Sequence, residues 1–342
     1  MTMPDVISEA VGRIRVSGAD EAMLERVLGK YRTIHEIRPE EPDEVLAWHI
    51  SYDGDGASPV TEGRRVRVEH ETTAIRVPRG DGYELHLPER GATVVRTAGH
   101  AAVRGDRKVA AELMRKALRQ ILTRGEQRLG MIQLHASAVT DAAGGVLAFV
   151  GHKGAGKTTT LTAALVHGGM DLVGNDRLCL VGGSGTGQGP GVYGWPTDYP
   201  IGHGTLQAAG LWDRVPGHLR DETRKVSFTP EHFASLCGAT ITPRGTLQAI
   251  AFLSMDLTRK DVDFHEREPA ESIEEILREH LFDAEDDEDH PDWLGLDRHA
   301  SSFGREIAAA RLGGVRFFRF AIGGDLRAIA SGVKKLRQCV TG

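Results

Sequence analysis

The chain has 342 residues, of which 40% are hydrophobic, and a formal net charge of −6 at pH 7. This composition is sufficient for a hydrophobic core and excludes a nucleic-acid binder that acts through bulk positive charge. Three scattered cysteines without a C-x-x-C pair, no leader pattern and no apolar run of membrane-spanning length predict a cytoplasmic protein that binds neither nucleic acid nor membrane.

Residues 1–105 are predicted to form a smaller N-terminal α+β accessory or substrate domain. An amphipathic helix is expected over residues 20–31, with Asp20 as its N-cap. Short, partly alternating runs separated by glycine turns predict an antiparallel meander, with strands at 45–52, 64–69, 73–77, 83–87 and 93–96.

Residues 106–342 are predicted to form the catalytic domain. A helix is expected at 106–129, followed by two strands at 131–139 and 146–150 that a tight glycine turn makes neighbours. Their register decides whether His135 lies near the end of the second strand or far from it. A helix at 158–167 and a strand at 171–181 follow, which implies a crossover connection.

Residues 151–158 read Gly-His-Lys-Gly-Ala-Gly-Lys-Thr, a complete G-x-x-x-x-G-K-[ST] phosphate loop between an apolar strand and a helix. The glycines allow backbone amides to converge on a polyphosphate, and Lys157 can reach the β- and γ-phosphates. Thr158 is the expected Mg²⁺ ligand. The predicted nucleotide-binding residues are Gly151, Gly154, Ala155, Gly156, Lys157, Thr158 and Thr159. The alternative is a glycine-rich strand-to-helix turn without a ligand.

Phosphoryl transfer also needs a base or a group that orients the nucleophile, placed near the end of a strand adjacent to the loop strand. Asp176 fits this position best, as the base or the group that orients the nucleophile. The alternative is a structural carboxylate that pairs with Arg177 or caps a turn.

The remaining sequence contains further elements. A glycine-rich connection is expected at 182–191, and an acidic surface loop at 283–292 is favoured over a metal site. Strands are predicted at 247–255 and 315–322, and helices at 272–281 and 325–339.

Segments 134–139 (LHASAV), 145–147 (GVL), 151–160 and 172–176 (LVGND) resemble, in order and spacing, the catalytic domain of HPr serine kinase/phosphorylase and its relatives. The resemblance implies an α/β fold with a mixed sheet and a P-loop kinase core of the type shared with phosphoenolpyruvate carboxykinase. It makes Lys157 the phosphate-binding lysine, Thr158 and Asp176 metal ligands, with Asp176 also the possible base, and His135 a histidine near the transferring phosphate. The alternative for His135 is a strand residue with a satisfied imidazole. Arg224 and Lys225 resemble a basic pair that screens the phosphoryl group, although a solvated basic turn is an equal alternative.

Two departures from the family pattern bear on the substrate. Asn175 stands where relatives have a second aspartate, which casts doubt on the reverse reaction, and the family's protein-substrate signature is missing. The resemblance therefore implies a kinase that uses ATP and Mg²⁺ to phosphorylate a serine- or threonine-type hydroxyl on a small molecule or peptide. Relatives commonly assemble, so a homo-oligomer is open.

Two rival functions are compatible with the same sequence. In the first, ATP orders the segment 182–191 of a regulatory switch and no acceptor is phosphorylated. In the second, the protein catalyses a carboxykinase-like reaction on a carboxylated metabolite, which requires more metal ligands than the sequence indicates.

Overall fold

The computed structural model describes residues 3–8, 11–39, 45–56, 60, 62–68, 72–182, 189–220, 222–281, 293–296 and 301–341. The chain divides into two compact units, Met1–Leu129 with Asp283–Ser301, and Gly130–Phe282 with Ser302–Gly342. The division lies at 129/130, whereas the sequence suggested 105/106, because the helix Arg107–Arg128 packs on the sheet of the first unit. The accessory role of the N-terminal region stays a prediction.

Within the residues that the structure describes, the first unit is a mixed sheet with two α-helices. Its elements are β1 (Pro4–Ser8), β2 (Gly12–Ser17), α1 (Glu21–Leu28), β3 (Glu36–Pro39), β4 (Trp48–Tyr52), β5 (Arg64–Arg67), β6 (Thr73–Arg79), β7 (Gly82–Leu87), β8 (Ala92–Thr97), β9 (His100–Arg104) and α2 (Arg107–Arg128). Across the described residues the strand order is β3-β1-β2-β4-β9-β8-β7-β6-β5.

The predicted meander is confirmed for β5 to β8, which pair in antiparallel order, and β9, which was not predicted, continues it next to β8. It is wrong for β4, which pairs in parallel with β2 and β9. Helix α1 lies between β2 and β4 in the chain and gives the long connection that a parallel pair requires. The Asp20 cap is confirmed, since its Oδ1 accepts a hydrogen bond from Met23 N at 2.8 Å, but α1 ends at Leu28.

The second unit is a mixed sheet covered by helices on both faces. Its elements are β10 (Ile132–Leu134), β11 (Ser137–Thr140), β12 (Gly145–Val150), α3 (Lys157–Val166), β13 (Asp171–Gly174), β14 (Leu178–Val181), β15 (Gly191–Gly194), β16 (Tyr199–Ile201), α4 (His203–Ala208), β17 (Val226–Phe228), α5 (Pro230–Cys237), β18 (Arg244–Met255), β19 (Asp263–Glu266), α6 (Pro269–Glu279), α7 (Ser301–Leu312), β20 (Arg316–Ile322) and α8 (Leu326–Thr341). The main strand order is β10-β14-β15-β18-β12-β11-β13, and β20 pairs with β18 and β19.

Strand β12 lies at the centre of this sheet and is buried along its whole length. Leu147 and Phe149 pack into one apolar cluster with side chains of α3 and α8. Val146, Ala148 and Val150 pack into a second cluster, which includes side chains of α6 and α7. A strand buried on both faces has a continuous apolar sequence, which explains why this element could be predicted.

Two predicted strands are each divided in the structure. The region 131–139 forms β10 and β11, which pair with different neighbours, and 171–181 forms β13 and β14. The breaks fall at residues 135–136 and 175–177, so each places polar side chains at the edge of the sheet. The predicted adjacency of β11 and β12, and the crossover from β12 through α3 to β13, are confirmed.

The later predicted elements are confirmed with shifted ends. The strands at 247–255 and 315–322 are β18 and β20, and the helices at 272–281 and 325–339 are α6 and α8. The acidic segment 283–292 and most of the glycine-rich segment lie outside the described residues. Within the described part of the chain, every helix is too short or too polar to cross a bilayer.

A buried ion cluster links the first two strands. Asp5 is fully buried and accepts hydrogen bonds from Arg13 Nη1 at 2.9 Å and from Arg15 Nε at 2.9 Å. Burial raises the pKa of Asp5, but the hydrogen bonds from Arg15 and Arg13 outweigh it, so the pKa is lowered overall. A folded-state pKa below the unfolded value stabilises the protein above the unfolded pKa, and this contribution is lost as the pH falls through the folded pKa.

We expect Asp5→Asn to lower the free energy of unfolding by about 3 kcal/mol at pH 7, because it leaves two buried arginines without their carboxylate. Urea denaturation at pH 7 and at acidic pH measures the effect, and the difference from the natural protein should shrink on acidification. Glu36→Gln, which removes an exposed partner of Arg38 in β3, is the matched control. An equal loss in both variants would contradict the buried-ion explanation.

Candidate functional site

The phosphate-loop segment 151–156 connects the end of β12 to the start of α3. Gly151, Gly154 and Gly156 have φ values of 149°, 89° and 95°. A Cβ at Gly151 would lie 2.8 Å from the Ala155 Cβ, and one at Gly156 would lie 2.7 Å from Ile322 Cδ1. Gly151 is therefore required for space as well as for conformation, whereas at Gly156, where the near atoms are movable side-chain ends, the positive φ is the reason for glycine.

Lys157 is the first residue of α3, one residue earlier than predicted, and its side chain folds back over the loop. Its Nζ donates to the carbonyl oxygen of Gly151 and, at 3.3 Å, to that of His152. Burial lowers the pKa of Lys157, Asp176 acts in the opposite direction, and Lys225 lowers it further. The ammonium group is thus held at the loop, within the field of a carboxylate and a second cation.

The two threonines after Lys157 differ in their contacts. Thr158 is half-buried in the first turn of α3, and its carbonyl accepts a hydrogen bond from Thr162 Oγ1 at 2.8 Å. The Thr159 hydroxyl lies 3.2 Å from the Thr205 hydroxyl on α4. The Thr159 hydroxyl is thus engaged in packing α3 against α4, and the role of Thr158 as a metal ligand stays a prediction.

Asp176 lies in the turn between β13 and β14. Among the non-glycine residues that the structure describes, it alone has a positive φ, of 70°. The preceding Asn175 is buried, and its Oδ1 accepts a hydrogen bond from Ser137 Oγ at 2.6 Å. The buried Tyr199 hydroxyl accepts a hydrogen bond from the Asn175 backbone amide, and burial raises the Tyr199 pKa. These contacts fix the turn that holds the Asp176 carboxylate at the surface, where its side chain is 43% exposed.

His135 lies next to Asp176, with 3.4 Å between its Nε2 and Asp176 Oδ1. The register answers the question left open by the sequence. Ser137 is opposite Phe149, so His135, just before β11, lies at the end of β12 where the loop begins. Burial lowers the pKa of His135, Lys157 and Arg177 lower it further, and Asp176 raises it, with a net decrease. The imidazole is therefore neutral at pH 7.

Arg224 and Lys225 lie directly before β17 and are exposed. Because the charge of Lys225 lowers the pKa of Lys157, Lys225 lies within electrostatic range of the phosphate loop. The role of Arg224 and Lys225 as phosphoryl contacts stays a prediction.

Sequence reasoning missed several residues around the loop. His152, in a variable position of the motif, has its Nε2 at 3.0 Å from Glu279 Oε2. His280 belongs to no motif that the sequence reveals. In the structure its carbonyl oxygen accepts a hydrogen bond from His135 N at 2.8 Å. The i, i+4 spacing of Glu275 and Glu279 was the available signal, since it places both carboxylates on one side of a helix.

Comparisons with known proteins give little identification. No protein-family model and no curated protein matches the chain. The HPr(Ser) kinase/phosphatase from Coxiella burnetii matches with 11% sequence identity and a TM-score of 0.30, over 61% of this chain and 99% of that chain. Similarity at this level is weak and establishes neither a shared fold nor a shared activity.

The backbone of Asp176 allows a test of stored strain. We expect Asp176→Gly to unfold with a free energy about 1 kcal/mol higher than Asp176→Ala, because a side chain in the left-handed region is strained and glycine is not. Denaturant titration of the two variants measures this difference.

The same pair of substitutions at Asp171 is the matched control, since that residue lies in the extended strand β13. There alanine should be the more stable by roughly 0.5–1 kcal/mol. The same sign at both positions would contradict the strain at Asp176.

Proposed function

We propose that the protein is a kinase that uses ATP and Mg²⁺ to transfer the γ-phosphoryl group to a hydroxyl group of a small molecule or peptide. One observation carries the proposal: Lys157 is folded over a glycine loop at the end of a central buried strand, with Asp176 and His135 at the same edge of the sheet. A helix N-terminus preceded by a loop whose backbone amides converge on one point is an arrangement that binds phosphate. A carboxylate beside it can act as the base.

The nucleotide is held by the loop and by Lys157. The first amides of α3 have no partner within the helix, and together with the helix dipole they favour an anion at this end. Lys157 and Lys225 add positive charge where charge builds up on the phosphoryl oxygens. The sequence before Gly151 is apolar and buried, so the loop has a rigid support.

The residues beside the loop also fit Mg²⁺. The Thr158 hydroxyl and the Asp176 carboxylate are hard oxygen ligands, which this ion prefers. The Asp176 carboxylate lies close enough for its charge to raise the pKa of Lys157. The Nζ of this lysine in turn contacts the carbonyl oxygen of Gly151 in the loop. When bound, Mg²⁺ would neutralise negative charge on the phosphates.

In the transfer step, the oxygen of the acceptor hydroxyl attacks the γ-phosphorus, and Asp176 accepts the proton of that hydroxyl. The bond between the γ-phosphorus and the β–γ bridging oxygen breaks, and ADP leaves. His135 Nε2 lies 3.4 Å from Asp176 Oδ1, a position from which a neutral imidazole would orient the carboxylate and leave Oδ2 for the metal or the acceptor hydroxyl.

The proposal predicts different effects for the two central residues. Lys157→Ala should abolish turnover and weaken ATP binding, because it removes the ammonium that contacts the phosphates. Asp176→Asn should retain ATP affinity within about threefold and lower kcat by about 10²- to 10⁴-fold, the usual contribution of a general base. Calorimetry with a non-hydrolysable ATP analogue and Mg²⁺ measures binding, and mass spectrometry of candidate acceptors with γ-labelled ATP measures transfer.

Asp171→Asn, on the strand that leads to Asp176, is the matched control and should retain activity. A fully active Asp176→Asn would remove Asp176 as the base. ATP hydrolysis without any labelled acceptor would contradict the kinase and favour the switch.

The pH dependence tests the pair of His135 and Asp176. Because the pKa of His135 is lowered, its protonation should reduce kcat only below pH 6.5, as an imidazolium at 3.4 Å weakens the basicity of the carboxylate. His135→Gln should lower kcat and shift the acidic limb of the pH profile to lower pH, with KM for ATP unchanged. An acidic limb above pH 6.5 in the natural protein, or one that His135→Gln leaves in place, would contradict this coupling.

A further inference from the structure

A second group of possible ligands lies at the C-terminal end of α6. Glu275, Glu279 and His280 each offer one ligand atom, and these atoms lie within 4.8 Å of one another. Glu275 and Glu279 are four residues apart and share one side of the helix, and His280 caps its end. None of the three belongs to the proposed transfer machinery.

His280 gives an independent indication that a ligand belongs there. Its side chain is 2% exposed, and its Nε2 is buried with no hydrogen-bond partner among the described residues. This atom lies 4.0 Å from Glu275 Oε1, too far for a hydrogen bond. A buried polar atom without a partner is unfavourable, so its persistence indicates a missing contact.

The chemical state of His280 fits a metal contact. Burial lowers the pKa of His280 to about 4, with the Glu275 charge acting in the opposite direction. The buried Nε2, which has no hydrogen-bond partner among the described residues, is the nitrogen that this ring offers to a metal ion. Packing of the ring near Phe252, at 5.9 Å between ring centroids, fixes its orientation.

Two arginines orient the carboxylates. Arg267 Nη2 donates to Glu275 Oε2 at 2.7 Å, and Arg278 Nε donates to Glu279 Oε1 at 2.9 Å. In each case the arginine holds one carboxylate oxygen, and the second oxygen faces a histidine. Glu275 Oε1 faces His280, and Glu279 Oε2 faces His152. Such contacts to the outer oxygen orient metal ligands in known sites.

A fourth donor comes from the phosphate loop. His152 Nε2 lies 3.0 Å from Glu279 Oε2, and its ring centroid is 5.7 Å from that of His280. The His152 side chain is 76% exposed and can adjust to a ligand without disturbing the core. Two imidazoles and two carboxylates thus converge where the loop meets α6.

We propose that Glu275, Glu279 and His280 bind a divalent transition-metal ion, with Zn²⁺ as the preferred ion and His152 as the fourth ligand. Mixed nitrogen and oxygen donors in a set of four suit Zn²⁺, whereas Mg²⁺ prefers oxygen ligands in an octahedral arrangement. The bound ion links the phosphate loop to α6. The site requires no nucleotide and is separate from the Mg²⁺ position proposed at Thr158 and Asp176.

Metal binding by the full chain tests the proposal. The tag-free protein, stripped with a chelator and then freed of it, is titrated with Zn²⁺ against a chromophoric chelator, without nucleotide. We expect one tightly bound Zn²⁺ per chain and visible d–d absorption of tetrahedral Co²⁺ in its place. Glu279→Gln and His280→Gln should each weaken Zn²⁺ binding at least about tenfold, in line with the loss of a ligand or of its orientation.

Three controls make the outcome specific. Glu274→Gln changes an exposed carboxylate of the same helix, and His218→Ala removes an exposed histidine elsewhere, so both should retain affinity. Asp176→Asn should also retain it, which separates this site from the kinase proposal. Circular dichroism checks that His280→Gln is folded. If His280→Gln unfolds, Glu279→Gln, which changes an exposed residue, still tests the proposal. Absence of stoichiometric Zn²⁺ uptake, or uptake that Glu279→Gln leaves unchanged, overturns the proposal.

Discussion

The burial of β12 on both faces is the constraint on which the rest of the second unit depends. Hydrogen bonding to β11 on one side and to β18 on the other fixes three strand ends at one edge of the sheet. Because β13 runs parallel to β12 with β11 between them, the end of β13 lies at the same edge. His135, Gly151 and Asp176 therefore meet through register alone, without any long loop to bring them together.

The sequence predicted the elements whose signal is local. A complete phosphate loop and an apolar strand that is buried on both sides need no partner to be recognised, and both were placed within one residue. The position of His135 depended instead on the pairing of Ser137 with Phe149. Cross-strand register is decided by packing between segments and cannot be read from either one alone.

The missed features are those that tertiary contacts create. Asp176 takes a positive φ because its neighbour Asn175 is anchored by the Ser137 hydroxyl, 38 positions away in the chain. Strands β1 and β2 were not predicted, because Asp5, Arg13 and Arg15 interrupt the alternation of apolar residues. In the structure these three side chains are buried together as an ion cluster. Charged residues in a core satisfy one another, and a pattern of apolar residues does not reveal them.

The electrostatics of the loop explain why an anion is the expected occupant. Burial disfavours the charged form of Lys157, and its contacts with the carbonyls of Gly151 and His152 replace only part of the lost hydration. One carboxylate, Asp176, faces this ammonium, whereas Lys225 adds a second positive charge. The field at the loop thus remains positive, and because the lysine is already oriented, an incoming phosphate would find its partner without reorganising the side chain. Burial, and then the charge of Lys157, lowers the pKa of His135, so the position of this imidazole beside the loop favours its neutral form.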